Sequence, residues 1–322
     1  MPFFFFLLPF FGWALPEAPP APRHLENVAF DPRRQQLVVY GGAAAVNGTL
    51  TEFTQVHEWA PAGWRHIDAP GPGGRIGHAM VYDESHRAVL LLGGATEVVN
   101  PYVIYFDAWR WNGRDWQRLD TTCPVKEPHA TYDPDGQRVL VYGDASDKAQ
   151  FKYGPDQRFE LWAFRANRWE KLSVDGPHPD GPYQLAYDRH RRALVVLDWE
   201  DGQPVVWEWK TGAWTKTPTT GPPPRTRYML AYHPADGRTY LYGGFAPDRR
   251  QLGDFWAWNG TAWTRLDALP TPALRNSAHF ASDGKRLLLY GGSVPKPGGP
   301  PGSITLCSEL WAWEKDVWRR LE

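Results

Sequence analysis

Sixteen of the 18 tryptophans in this chain obey one pattern, repeated six times: a strand bearing tryptophan, a short polar turn, and a further tryptophan. The second unit shows it whole, as His78-Ala79-Met80-Val81-Tyr82-Asp83, then Val89-Leu90-Leu91-Leu92 closed by Gly93-Gly94, then Trp109-Arg110-Trp111, Asn112-Gly113 and Trp116. The residue closing the apolar strand falls at Gly41, Gly93, Gly143, Asp198, Gly243 and Gly291, so successive units are offset by 52, 50, 55, 45 and 48 positions. One such unit cannot bury its apolar faces alone. A period of about 50 residues belongs to closed rings in which every unit is one small antiparallel sheet.

Each unit divides into four strands, a to d, by period-two alternation between turn signals. In the fifth unit, strand a is Tyr228-Met229-Leu230-Ala231-Tyr232 and strand b is Thr239-Tyr240-Leu241-Tyr242, followed by Gly243-Gly244. Strand c is Phe255-Trp256-Ala257-Trp258, and Asn259-Gly260 turns the chain into strand d near Trp263. Asp31-Pro32, Asp133-Pro134-Asp135-Gly136 and Asp283-Gly284 supply a–b turns. The fold class is therefore all-β, a six-bladed propeller of four-stranded antiparallel blades.

The double glycine after strand b and the spaced tryptophans resemble kelch repeats, from about Arg23 to Glu322. The third and fourth units depart from that family's pattern, with Gly143-Asp144 and Asp198-Trp199 in place of the double glycine. Because the first unit begins at strand a and the last ends at strand d, the ring is expected to close without a blade shared between the termini. The alternative is an extra strand from Phe3 to Leu8 at the seam.

The 35 basic and 36 acidic residues are interspersed, leaving no basic stripe for a phosphate backbone, so nucleic acid is not an expected partner. Residues 1–22 form an apolar, phenylalanine-rich segment and a proline- and alanine-rich spacer, distinct from the propeller at 23–322. The segment is too short and too broken by proline to span a membrane as a helix of about 20 residues. It reads as a signal for export, although it lacks leading Lys or Arg; a cytoplasmic protein is the alternative. Cys123 and Cys307 fall in different units and are expected to stay apart. Asn47-Gly48-Thr49 and Asn259-Gly260-Thr261 match the glycosylation triplet, the second better explained as a hairpin turn.

Strand direction places the b–c loops and the d–a connections on one face, which is the expected working face. The b–c stretches 43–54, 95–106, 145–158, 245–252 and 293–305 read as long, irregular loops. Strand-a entrances deliver Arg23, Arg75, Arg225 and Arg275 to the same face, and kelch propellers present arginines at such entrances, some gripping acidic peptides. A guanidinium fork suits a carboxylate, although bonding to backbone carbonyls of an adjoining blade is the structural alternative. His78, Tyr183, Arg227 and Tyr228 near the strand-a entrances, and Trp199 at the start of a b–c loop, complete the candidate binding set. The other sixteen tryptophans read as packing between blades.

His78, His129 and His279 also approach the axis, but His78 lies five positions before Asp83 while the other two lie four before Asp133 and Asp283. Pleat parity then turns them to different sides, so no metal or other cofactor is expected. Tyr232-His233 resembles the Tyr-His pair of galactose-oxidase-like copper enzymes, yet it fills the slot of Tyr82-Asp83 and Tyr187-Asp188. No catalytic triad, phosphate loop or metalloprotease motif is present. The reading is a monomeric, non-catalytic module binding a protein or peptide, an acidic one if the arginines face it. The alternative is a carbohydrate in the central funnel, bound or isomerised. Resemblance to sialic-acid-mutarotase-like propellers would assign proton transfer to Glu26 beside Arg23.

Overall fold

The tryptophan units fold as six antiparallel sheets, each running a-b-c-d in chain order. The structure, a computed structural model, describes residues 17–98, 102–146, 157–174, 176–179, 183–267, 271–300 and 302–322. The innermost strands are His24–Asp31, Ala79–Asp83, Lys126–Asp133, Leu185–Asp188, Met229–His233 and His279–Ser282. Each touches the next, and the sixth touches the first, so the sheets form a six-bladed β-propeller. Every blade draws its four strands from one continuous stretch, as expected. Residues Phe3 to Leu8 lie outside the described residues. Glu17 makes an antiparallel bridge to Trp64 on the outermost strand of the first blade.

One aromatic contact recurs between blades. The tyrosine ending strand b packs on the strand-d tryptophan of the following blade, with ring centroids 5.1 Å apart for Tyr40–Trp116, 5.6 Å for Tyr142–Trp214 and 5.8 Å for Tyr242–Trp318. Tyr290 and Trp64 repeat it across the seam at 5.5 Å. The tyrosine hydroxyls of Tyr40, Tyr142 and Tyr242 donate to carbonyls of the d–a connections at Gly73, Pro177 and Pro272. A large ring buried at one end and hydrogen-bonded at the other fixes the blade spacing and its connection together.

The double glycine has a steric origin. A Cβ on Gly41 would lie 2.7 Å from the Arg75 carbonyl and 2.5 Å from His78 Cε1 of the next blade, and one on Gly42 would lie 2.9 Å from Glu26 Cβ of its own blade. Both glycines have positive φ, 70° and 83°, and the Gly42 N–H donates to the Arg75 carbonyl at 2.9 Å. Without side chains here, backbone of one blade reaches backbone of the next.

The b–c segments of three blades are more regular than expected. Strand Gln36–Val46 folds back on Thr49–Glu52, strand Ala88–Thr96 pairs with Val103–Trp111 out to Thr96, and Ser293–Pro295 pairs with Ile304–Leu306. Backbone pairing satisfies the polar groups of these insertions, so they stand as hairpins rather than irregular loops. In the fourth blade, Ala193–Glu200 and Gln203–Lys210 leave only a tight turn at Asp201-Gly202. Cys123 and Cys307 are not joined by a disulfide.

Candidate functional site

Period-two alternation on the six inner strands builds the central channel in layers. At the uppermost register the side chains turn toward the preceding blade: Tyr183 Oη donates to the Tyr142 carbonyl at 3.3 Å, and Tyr228 Oη to the Leu197 carbonyl at 2.8 Å. His78 and Glu26 fill the same register against Gly41 and Gly291. Two residues farther along, Val28, Met80, Ala130, Leu185, Leu230 and Phe280, one per blade, form an apolar girdle. The girdle borders a cavity of about 860 Å³ on the b–c side and one of about 310 Å³ on the other.

The larger cavity is a funnel floored by polar groups just above the girdle. Asn27, His129, Gln184 and His279 share one register, in four different blades. Asn27 Nδ2 donates to the His78 carbonyl at 2.8 Å, and Gln184 Oε1 accepts from the Leu230 N–H at 2.8 Å, so both amides are held by the following blade. Burial lowers His129 and His279 to about 4, His129 further through the charge of His279, which leaves both imidazoles neutral near pH 7. The His129 ring lies 4.2 Å from that of Tyr183. Burial, with the charges of Arg75 and His279, also lowers His78 well below its ordinary value.

Above this floor the chain enters five of the six inner strands through a left-handed residue. Leu25, Gly77, Glu127, Arg227 and Ser277 occupy the same position in five blades, with φ of 56°, 60°, 44°, 54° and 52°. The Gly77 N–H donates to the Leu25 carbonyl at 3.2 Å and the Ser277 N–H to the Arg227 carbonyl at 3.1 Å, linking successive blades into a collar. All five residues line the funnel. A left-handed residue at a strand entrance points its side chain out of the blade plane, here into the lumen.

Four of the expected binding residues, His78, Tyr183, Arg227 and Tyr228, line the funnel. The four entrance arginines do not, which corrects the expectation that they face a ligand. Arg75 is fully buried, donating to the Gly93 carbonyl at 2.8 Å and pairing with Asp107 at 2.7 Å; Arg225 donates to the Gly243 carbonyl at 3.0 Å and pairs with Asp254 at 2.6 Å. Arg275 repeats the arrangement with Gly291 at 3.2 Å and Glu309 at 2.9 Å. In each case the carbonyl belongs to the arginine's own blade, not to an adjoining one. The strand-c tryptophan, Trp109, Trp256 or Trp311, donates Nε1 to the same carboxylate. Burial alone would raise the Asp107 carboxyl, but the bond and charge of Arg75 with the Trp109 bond hold it below the ordinary range.

Arg23 is the exception. The position corresponding to Asp107 is Gln55, so Arg23 donates to the Ala21 and Gly41 carbonyls at 3.0 and 3.2 Å and pairs with no carboxylate among the described residues; its guanidinium lies 3.8 Å over the Phe53 ring. Burial lowers its pKa, against the charges of Tyr290 and Glu26. Glu26 itself is 1% exposed, and among the described residues neither carboxyl oxygen makes a hydrogen bond of ordinary geometry, the Glu26 and Gly292 N–H groups acting on it only weakly. Burial raises it to about 8, only partly offset by its own N–H, Arg23 and the Gly292 N–H.

Trp199 is also corrected: it lies within strand Ala193–Glu200, its Nε1 donating to the Pro222 carbonyl at 2.9 Å and its ring edge-on to Tyr228 at 5.4 Å. With only a tight turn after it, there is no long loop for it to head. His78 sits one register above His129 and His279, and among the described residues no three His, Cys, Asp or Glu side chains form a metal-holding group. Asn27 and Gln184 were findable by aligning strand a on its terminal aspartate. Glu97 and Tyr102 come from a b–c segment with no repeat to align, so nothing in the sequence assigns them to the funnel, and Phe159 opens strand c of the third blade, Phe159–Arg165.

No family model matches the chain, and no curated protein matches it. Among solved structures, that of YjhT is similar with a TM-score of 0.64 at 15% identity, over 92% of this chain and 97% of that one. The likeness is one of fold, extending around the whole ring.

Proposed function

We propose that the protein is a binding module whose ligand is a small polar molecule of carbohydrate size, seated in the central funnel. The observation that carries this reading is the concave site itself. A cavity of about 860 Å³ lies in the range of small-molecule sites, with neutral imidazoles and fixed amides on its floor and Tyr183, Tyr228 and Phe159 on its walls. Imidazole and amide groups both donate and accept, which suits hydroxyls, and aromatic edges suit the apolar faces of a sugar ring. The arginine clamps, by contrast, spend their charge inside the blades, so they do not favour an acidic peptide. The double glycines and paired tryptophans support a kelch-type repeat.

A sugar-isomerising variant of this reading draws on Glu26, whose pKa of about 8 suits proton transfer near neutrality. Its oxygens, however, are buried against Gly291 rather than open to the lumen, so binding alone is the better-supported function. A protein partner is the second reading, motivated by the half-exposed apolar residues Val46, Leu50, Val103 and Ile304 on the three b–c hairpins.

Thermal-shift and calorimetric titration with a panel of mono- and disaccharides tests the first reading, with His279→Ala as the lumen variant. A saccharide that stabilises the native protein and loses its effect in His279→Ala supports it. A silent panel together with a partner captured by native protein and lost in Leu50→Asp/Val103→Asp would replace it with the second.

A further inference from the structure

The face opposite the funnel carries a second concave site, on the other side of the apolar girdle. Its cavity of about 310 Å³ is walled at the register two residues beyond the girdle: Phe30, Tyr82, Tyr132, Tyr187 and Tyr232 in the first five blades, and Ser282 in the sixth. An arc of five aromatic rings thus borders the cavity, interrupted at the sixth blade. Three of the tyrosines are held at the hydroxyl by the preceding blade: Tyr132 Oη lies 2.8 Å from Ser85 Oγ, Tyr187 Oη donates to Asp135 at 2.9 Å, and Tyr232 Oη accepts from the His190 N–H at 3.3 Å. The Tyr82 hydroxyl is enclosed but makes no hydrogen bond among the described residues. With hydroxyls engaged by the neighbouring blade, ring carbon is what these side chains offer the lumen.

The charge around this cavity is acidic on balance. Its charged lining residues are two carboxylates, Glu84 and Asp283, and one guanidinium, Arg189. Arg189 of the fourth blade is paired with Glu84 of the second, and Asp283 pairs at 2.7 Å with Arg286, which does not border the cavity. Burial first, and then carboxylates of the strand ends and a–b turns, raise all four tyrosine hydroxyls, so the rings stay neutral.

From this arrangement we infer that the lower cavity is a second binding site, independent of the funnel, for the methylated ammonium group of a small molecule such as free choline. A methylated ammonium has no N–H to satisfy, so it gains from an apolar floor and from ring faces whose quadrupole is negative. A primary ammonium or a metal ion needs oxygen partners, which the girdle and the rings do not supply. An anion would meet Glu84 and Asp283 while the one guanidinium is already engaged, and the same two carboxylates disfavour a phosphate ester of choline. A neutral molecule of the same shape would gain the burial without the attraction of the rings.

Three probes separate these cases: choline, phosphocholine and neohexyl alcohol, the uncharged carbon isostere of choline, each titrated calorimetrically into the native protein at pH 7 and matched ionic strength. Choline is expected to bind about five-fold or more tightly than its isostere, as for a desolvated cation on aromatic faces, and more tightly than phosphocholine. Tyr82→Leu and Tyr232→Leu, at the two half-buried tyrosines, should each weaken choline about three-fold or more and leave the isostere unchanged. Tyr82→Phe and Tyr232→Phe, which keep the ring face, should retain choline binding, and melting temperatures report whether the variants stay folded. The comparison of choline with its isostere needs only the native protein and stands whether or not the leucine variants fold. Equal affinity for the two, preference for phosphocholine, or no binding of choline would overturn the inference. Choline binding lost in His279→Ala but kept in the leucine variants would place the cation in the funnel and overturn it as well.

Discussion

The Glu26 carboxyl abuts Gly291 across the seam between the first and last blades, so closely that a Cβ on Gly291 would overlap Glu26 Oε1. At the same register the fourth and fifth blades place tyrosine hydroxyls that donate to the preceding blade's carbonyls. Unlike those hydroxyls the Glu26 carboxyl has no acceptor to donate to among the described residues, and burial at the seam favours its neutral form.

A stability prediction follows directly. Glu26 has its pKa raised from 4.5 to about 8, so the folded state holds a proton that the unfolded state releases. Its stabilising effect is complete below the unfolded value and is lost as pH rises toward 8, at up to about 1.4 kcal/mol per pH unit. Glu26→Gln removes this slope. Urea unfolding at pH 5, 7 and 9 should show the variant gaining on the native protein as pH rises, and equal pH dependence of the two would refute a neutral Glu26.

Two glycines with similar φ should respond differently to alanine. Gly77, at 60°, has no heavy atom within 4 Å of an added Cβ, so Gly77→Ala should cost about 1 kcal/mol, the ordinary left-handed penalty. Gly243, at 64°, would drive its Cβ into the Arg275 carbonyl, which is backbone and cannot rotate away. Overpacking adds to the conformational penalty, for a total of roughly 3 kcal/mol or more. Similar melting temperatures for the two variants would show that the blades slide apart freely.

The incomplete clamp of the first blade can be finished. Gln55→Glu places a carboxylate where Asp107, Asp254 and Glu309 meet the other arginines. A bond to a charged partner should raise stability by about 1–2 kcal/mol at pH 7. In an Arg23→Met background the same substitution has no cation to meet and should destabilise. The double-mutant cycle is the measurement, and absence of coupling between positions 23 and 55 would sink the proposal.

The ring was legible because its cause is local and repeated: tryptophan spacing, alternating strands and double glycines all carry the same period. The funnel was legible only where strand a could be aligned. His78, Tyr183 and Tyr228 were reached that way, and the five-versus-four offset of the histidines anticipated their different registers. The arginines misled because their partners, Asp107 and Asp254 on strand c and Glu309 just before it, lie about 30 residues away, and one sequence does not announce such a pairing. Regular hairpins in the b–c segments were likewise hidden, since their pairing depends on backbone bonds rather than on a residue pattern.

The last prediction concerns closure. Among the described residues no blade shares strands between the termini, so contacts between the first and last blades hold the seam, including the Trp59 Nε1–Glu322 Oε1 hydrogen bond at 3.4 Å, and Tyr290–Trp64 supplies the same contact as Tyr40–Trp116 inside the ring. Equivalent geometry and near-complete burial of both tryptophans, at 3% and 8% exposure, imply equivalent energies. Trp64→Ala and Trp116→Ala should each cost about 3–5 kcal/mol and preserve a single cooperative transition, because every blade leans on two neighbours and none can melt alone. Proteolysis and urea unfolding compare them. Selective cleavage near the seam in Trp64→Ala, with the remaining blades still folded, would mean that the ring is an open array whose ends merely touch; a shared all-or-none transition for both variants means that the seam is one interface among six.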